Sequence, residues 1–377
     1  MRAAGLIRAT AVLWLFTVGA AQMADGQAAS SDDSLEEWIG QMIMVGFRGT
    51  ELGAGHPFLE DLRGLHLGGV ILFDYDVSTQ SDVRNIVSAQ QVRSLIQQLQ
   101  SASRRPLLVA VDQEGGRVRR LKEKHGFPAA PSQEELGRTD REEATREAAR
   151  RTGNLLADLG INTNFAPVLD LALNPLNPVI ASLGRSYGRE AERAASHARW
   201  TMEEFHRAGI LSAVKHFPGH GSSREDSHLG LPDVTDLWEE EELEPFRRVI
   251  QEGLPDMVMT AHLYNSAWDA LHPSTLSKAV VTGMLRGELG FQGVVVSDDL
   301  QMGAVDQNYT LRERIRLAVE AGVDILLFAN NLRYDPRIAE KAHRTLKELV
   351  DSGVLTPERI RESYDRIVAL KLKFEVR

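Results

Sequence analysis

The chain has 377 residues, with 43 Lys and Arg against 53 Asp and Glu, a formal charge of −10, 43% hydrophobic residues and no cysteine. An acidic balance without a basic block argues against a general nucleic-acid binder, because phosphate neutralisation needs clustered Lys or Arg. The missing thiols exclude disulfide frameworks, thiolate metal sites and cysteine nucleophiles together, so packing must hold the fold.

In chain order, residues 1–28 read as a signal peptide. Arg2 and Arg8 precede an apolar run from Ala11 to Ala21, shorter than the roughly 20 residues that span a bilayer. Small residues at Gly19 and Ala21, or Gly26 and Ala28, offer cleavage sites. The expected location is therefore periplasmic or secreted. Residues 29–34 read as a short polar linker, and 35–377 as one folded domain.

From there, short β-branched or apolar runs bounded by Gly, Pro, Asp or Asn recur, as buried parallel strands should. They lie at Met42 to Phe47, Gly69 to Phe73, Leu107 to Asp112, Asn162 to Pro167, Ser212 to His216, Met257 to His262, Gly293 to Asp298 and Asp324 to Ala329. Amphipathic segments alternate with them. Ser34 with Glu37 and Thr139 with Glu142 predict capping boxes, and Thr356 before Pro357 predicts an N-cap with proline at N1. Ala144, Ala148, Leu155 and Leu159 fall on one helical face. The run Glu239 to Glu242 reads as an exposed acidic helix start, with no function assigned.

Eight such runs in a single domain predict a (β/α)8 TIM-type barrel, with a doubly wound sheet as the alternative. Nearly every run ends in a polar or charged residue, and barrels assemble their active sites from strand C-terminal ends. This expectation places Asp112, Asn164, Lys215, His216, His262 and Asp298 around one mouth.

Three segments carry chemistry. The first runs from Lys215 through His216-Phe217-Pro218-Gly219-His220-Gly221 to Asp226-Ser227-His228. An Asp two residues from a His can orient the imidazole and favour its protonated form, which suits proton transfer. Metal ligation by His216, His220, Asp226, His228 and His262 is an alternative, as are structural histidines. Pro218 and Gly219 break any helix that would give His216 and His220 the i,i+4 zinc geometry. The second segment is Val294-Val295-Val296-Ser297-Asp298-Asp299. Alternation along a strand lets one of the adjacent acids face the mouth, and Asp299 fits a helix N-cap. The third ends a strand at Asp112 before Gln113-Glu114-Gly115-Gly116 and several arginines; Asp and Arg can grip a polyhydroxylated ligand or pair with each other.

Taken together, the segments DQEGGRV, NFAPVLD, GRSYG, KHFPGHG, DSH, MTAH and SDDLQM resemble glycoside hydrolase family 3 in order and spacing. Within it the chain is most similar to single-domain β-N-acetylhexosaminidases of the NagZ type, from about Leu35 to near the C-terminus. The resemblance implies a catalytic barrel that acts as a retaining exo-β-N-acetylglucosaminidase. It implies Asp298 as nucleophile, His228 backed by Asp226 as general acid/base, and Asp112, Arg120, Arg185, Lys215 and His216 as sugar-binding residues. The implied partner is a small glycan containing N-acetylglucosamine. No cofactor, metal, nucleic acid or membrane span after signal cleavage is expected, and the chain is expected to be a monomer. Two positions depart from the branch pattern. Gly184 precedes Arg185 where the branch commonly has an acid, and the second strand ends in FDYDV from Phe73, where many relatives carry Arg and Asn. A β-glucosidase of the same family and a metal-dependent barrel hydrolase stay open as alternatives.

Overall fold

The computed structural model describes Met1, residues 34–374 and Val376; the expected signal peptide and residues 29–33 of the expected linker lie outside the described residues. Eight parallel strands form: β1 (Ile43–Gly46), β2 (Gly69–Ile71), β3 (Leu108–Val111), β4 (Thr163–Asn164), β5 (Leu211–Phe217), β6 (Met257–Thr260), β7 (Val294–Val296) and β8 (Leu326–Phe328). Each overlaps one of the predicted runs. Their order is β7-β6-β5-β4-β3-β2-β1-β8, and a parallel bridge between Val296 and Ile325 brings the two ends together. Hydrogen bonds from Asp324 N to Val295 O (2.8 Å) and from Ser297 N to Ile325 O (2.9 Å) close the ring. The fold is the expected barrel rather than the open doubly wound sheet.

Every strand is buried along its whole length, which is why the runs are apolar rather than alternating. The shortest is β4, because Pro167 lacks the N–H that would continue the ladder. The chain rejoins the sheet at Val168, bridged to Lys215.

Helices flank the strands. Leu35–Gln41 starts at Ser34, whose hydroxyl accepts the Glu37 N–H, and Pro357–Lys373 starts at Thr356, whose hydroxyl accepts the Arg359 N–H. The expected cap at Thr139 is corrected. Thr139 is the last residue of helix Gln133–Thr139, Asp140 turns left-handed, and the next helix begins at Glu142 behind Arg141. Capping boxes form instead at Ser132 with Glu135 and at Thr310 with Glu313. On helix Glu142–Leu159 the buried stripe includes the expected Ala148 and Leu159, centred on Thr145, Ala149, Gly153 and Leu156. Among the described residues, no helix is long and apolar enough to cross a membrane.

Candidate active site

The C-terminal ends of the strands open into a cavity of about 650 Å³, within the range of about 300–1,000 Å³ common for small-ligand sites. Asp112, Arg120, Arg185, Lys215, His216, Asp226, His228 and Asp298 all line it. They come from the ends of β3, β5 and β7 and from the loops that follow β3, β4 and β5, so eight positions scattered over 187 residues of sequence line one cavity.

One side of the cavity is a charge lattice. Lys215 Nζ lies 2.7 Å from both Asp112 Oδ1 and Glu114 Oε1. Arg120 donates to Asp112 Oδ2 (3.0 Å), and Arg185 donates in bidentate fashion to Glu114 (2.8 Å to each oxygen). Planar guanidinium and carboxylate match each other there, which fixes both side chains. Burial alone would raise the Asp112 carboxyl, but Lys215 and Arg120 outweigh it and hold it well below the carboxylate range. Glu114 is lowered in the same way by Arg185 and Lys215. His216 Nδ1–H donates to Asp170 Oδ2 (2.6 Å), leaving Nε2 to face Arg185 Nη2 at 3.2 Å. Asp170 also accepts the backbone N–H groups of His216 and His220.

The same cavity also holds one carboxylate, Asp298, and one imidazole, His228. His228 Nδ1–H donates to Asp226 Oδ1 (2.7 Å), so Nε2 is the nitrogen left to exchange a proton with a ligand. Burial disfavours the imidazolium, but Asp226 and Asp298 overcome it and raise the His228 pKa above its ordinary value. Burial also disfavours ionised Asp298, yet His262, His216 and His228 hold its carboxyl below the usual range. The two environments push an acid and a base apart, the pattern that assigns proton-transfer roles. The loop bearing His228 is seated on the segment after β7: Gly303 N–H donates to His228 O (3.2 Å) and Ala304 N–H to Ser227 O (3.1 Å).

Both adjacent acids line the cavity, against the expectation that one alone would face it, but their exposure differs. Asp299 is buried and accepts from Gln301 N (3.0 Å) and Ala329 N (2.9 Å), whereas Asp298 is part-exposed to the cavity.

Three readings from sequence are corrected. Asn164 does not line the cavity; its amide is spent on the Gln113 backbone. His262 lies behind the cavity, fully buried, its Nε2–H donating to the Asp299 carbonyl (2.9 Å). Glu242 is not exposed: it alone of the run Glu239 to Glu242 is buried, and its carboxylate accepts the N–H groups of Gly221 (2.7 Å) and Ser222 (3.3 Å). Among the described residues, no three His, Asp or Glu side chains are grouped so as to hold a metal ion.

Other groups at the site carried no assignment from sequence. Glu114 and Asp170 sit inside the quoted segments, but their partners Arg185, Lys215 and His216 lie 46 to 101 residues away in sequence. Asp74, with Lys122 Nζ at 2.6 Å, lines the cavity at the end of β2; the unusual FDYDV sequence was its one signal.

The chain is 35% identical to Beta-hexosaminidase A of Pseudoalteromonas piscicida over 383 residues, covering 93% of this chain and 63% of that protein. It is 39% identical to the Beta-hexosaminidase of Alkalilimnicola ehrlichii over 305 residues, covering 78% and 82%. Among solved structures, a family 3 β-N-acetylglucosaminidase from Paenibacillus superposes with a TM-score of 0.83 at 40% identity, over 91% of this chain and 63% of that one. A β-N-acetylhexosaminidase from Beutenbergia cavernae gives a TM-score of 0.80 at 30% identity, over 90% and 99%. The chain thus spans less than two thirds of the Pseudoalteromonas and Paenibacillus proteins and nearly all of the Beutenbergia one. Its residues 34–370 match the glycosyl hydrolase family 3 N-terminal domain, and with relatives of this closeness and coverage the chain belongs to glycosyl hydrolase family 3.

Proposed function

We propose that the chain is a retaining exo-β-N-acetylglucosaminidase that releases terminal β-linked N-acetylglucosamine from peptidoglycan fragments or chitooligosaccharides. The relatives' names support the hexosaminidase activity. The observation that carries the mechanism is the pairing, in one cavity, of a lowered carboxyl at Asp298 with a raised imidazole at His228.

In this reading an Asp298 oxygen attacks the anomeric carbon while His228 Nε2–H gives its proton to the departing glycosidic oxygen. The C–O bond to the leaving group breaks and a glycosyl ester forms on Asp298. Water then attacks the same carbon, His228 takes its proton, and the ester oxygen leaves as carboxylate. Asp226 holds the ring in the tautomer the first step needs. Asp112, Arg120, Arg185, Lys215 and His216 supply donors and acceptors for the sugar hydroxyls and the 2-acetamido group.

An imidazole at position 228 also meets an anionic leaving group without the repulsion a second carboxylate would bring, which favours muramic acid derivatives as aglycones. Export guided by residues 1–28 belongs to this proposal and places the substrates outside the inner membrane. The test is the rate on matched aryl β-glycosides of N-acetylglucosamine, glucose, xylose and N-acetylgalactosamine, for wild type and Asp298→Ala. Fastest turnover of the N-acetylglucosaminide, abolished in the variant, is expected. A glucoside preference, or turnover that survives the substitution, refutes the reading.

A further inference from the structure

Glu242 lies in a one-turn segment, Glu240–Leu243, that follows the loop bearing Asp226 and His228. Its side chain reaches under the loop that joins the sugar-binding wall to the acid/base. Glu242 Oε2 accepts from Gly221 N and Ser222 N. Oε1 is buried with no hydrogen-bond partner among the described residues. Burial pushes the carboxyl up to about 7. A buried acid with one oxygen left unpaired costs free energy that an apolar side chain of the same size would not, so the interior position needs a local reason.

The loop supplies one. Its two glycines are shaped around what grips it. A Cβ at Gly219, which has φ +121°, would lie 2.5 Å from the Glu242 Cβ, and a Cβ at Gly221 would lie 1.8 Å from the Leu171 carbonyl oxygen. From the other side, Asn177 Nδ2 donates to the His220 carbonyl (2.7 Å) and Asp170 accepts the His220 N–H (2.8 Å). His220 is thereby held between two anchors, and its Nε2 lies 3.3 Å from Ser227 Oγ, the residue between Asp226 and His228. Contacts therefore run without a gap from Glu242 to Gly221 and Ser222, to His220, to Ser227 and to the acid/base.

We propose that Glu242 is a positioning residue for proton transfer, acting as the acceptor that fixes the root of the loop so that His228 stands at the leaving-group oxygen. The assignment rests on the reading of His228 as the proton donor. Glu242 touches no substrate. Its contribution is geometric, and displacement of a reacting group by about 1 Å is enough to cost on the order of 100-fold.

The experiment compares kcat/KM for wild type, Glu242→Met and Glu242→Gln on two β-N-acetylglucosaminides. The 2,4-dinitrophenyl glycoside releases a leaving group that needs no proton, whereas chitobiose releases one that does. Glu242→Met is expected to lose about 100-fold on chitobiose and less than about threefold on the dinitrophenyl glycoside, which leaves without acid catalysis. Glu242→Gln keeps an acceptor oxygen and is expected to restore most of the chitobiose rate. Equal losses on both substrates in the Met variant, no loss on either, or a Gln variant as slow as Met would each overturn the assignment. His228→Ala is measured in parallel. If it shows no leaving-group dependence, the proton-donor reading fails and takes the assignment with it. If it does and Glu242→Met does not, only the assignment fails. Circular dichroism and thermal melting verify folding, and Glu242→Ala takes the place of Glu242→Met if the longer side chain is not accommodated.

Discussion

A single oxygen of Asp226, Oδ1, accepts both the backbone N–H of His228 (2.8 Å) and its ring Nδ1–H (2.7 Å). The residue therefore fixes the position and the tautomer of the imidazole at once. Asp226, with Asp298, keeps the ring protonated above its ordinary pKa of about 6.5. The active protonation state needs His228 charged and Asp298 ionised. kcat/KM should then be flat from below the usual carboxylate range to above the usual histidine value and fall on the alkaline side. Asp226→Asn is expected to move the alkaline limb to lower pH, because the neutral amide no longer stabilises the imidazolium. A pH profile of the variant with an unmoved alkaline limb contradicts the assignment.

Asp298 and Asp299 are neighbours with opposite surroundings, and substitution separates them. Burial pushes Asp299 up to about 7, and its Oδ1 accepts the backbone N–H groups of Gln301 and Ala329. An uncharged isostere is thus tolerable at 299 and fatal at 298. Asp298→Asn should cut kcat by at least about 10³-fold, while Asp299→Asn should stay within about tenfold of wild type. Steady-state rates on an aryl N-acetylglucosaminide decide this, and a reversed order would move the nucleophile to 299.

Glu114 joins Arg185 to Lys215, two residues expected to touch the sugar. Replacing it with Gln removes the ion pair that Arg185 makes and leaves Lys215 with Asp112 alone. A charged-group hydrogen bond contributes about 1.5–3 kcal/mol, so kcat/KM should fall about 10- to 100-fold. Wild-type kinetics in Glu114→Gln, measured on the same substrate, would show that the lattice is not needed to present the sugar-binding side chains.

The far end of the barrel carries a separate ion cluster. Asp324, fully buried two residues before β8, accepts from Arg286 (2.6 Å), Val295 N (2.9 Å), Ser363 (2.7 Å) and Arg366 (3.0 Å). It ties the closing strand pair to helix Pro357–Lys373. Asp324→Ala should lower unfolding free energy by about 3–5 kcal/mol, since it strands buried guanidinium groups. The shape of the pH–rate profile should stay as in wild type. Denaturant titration showing less than about 1 kcal/mol of loss would contradict the role given to the cluster.

The barrel was legible because its strands are buried on both faces and end in polar residues, so runs such as Val294-Val295-Val296 and the acids beyond them mark strand and mouth together. The errors share a physical origin. Thr139 with Glu142 and Ser132 with Glu135 are equivalent local patterns, and packing selected the earlier one, ending the first helix where the second was expected to be capped. Glu242 looked like its three solvated neighbours, because burial under a loop twenty residues upstream leaves no local mark. Asn164 and His262 end strands at the expected height, but their polar atoms are consumed by backbone and hydroxyl partners behind the cavity wall. Glu114 and Asp170 illustrate the converse: an acid can be visible in a segment while its job depends on a partner more than 40 residues away.

The central claim is a covalent bond between Asp298 and the sugar. Incubation with a 5-fluoro derivative of N-acetylglucosaminyl fluoride, which slows hydrolysis of the glycosyl ester, followed by proteolysis and peptide mass mapping, tests it directly. The account predicts a single adduct on the peptide containing Asp298, lost in Asp298→Ala, with β-configured sugar as the first product of normal turnover. A label on any other residue, or α-configured first product, would contradict it.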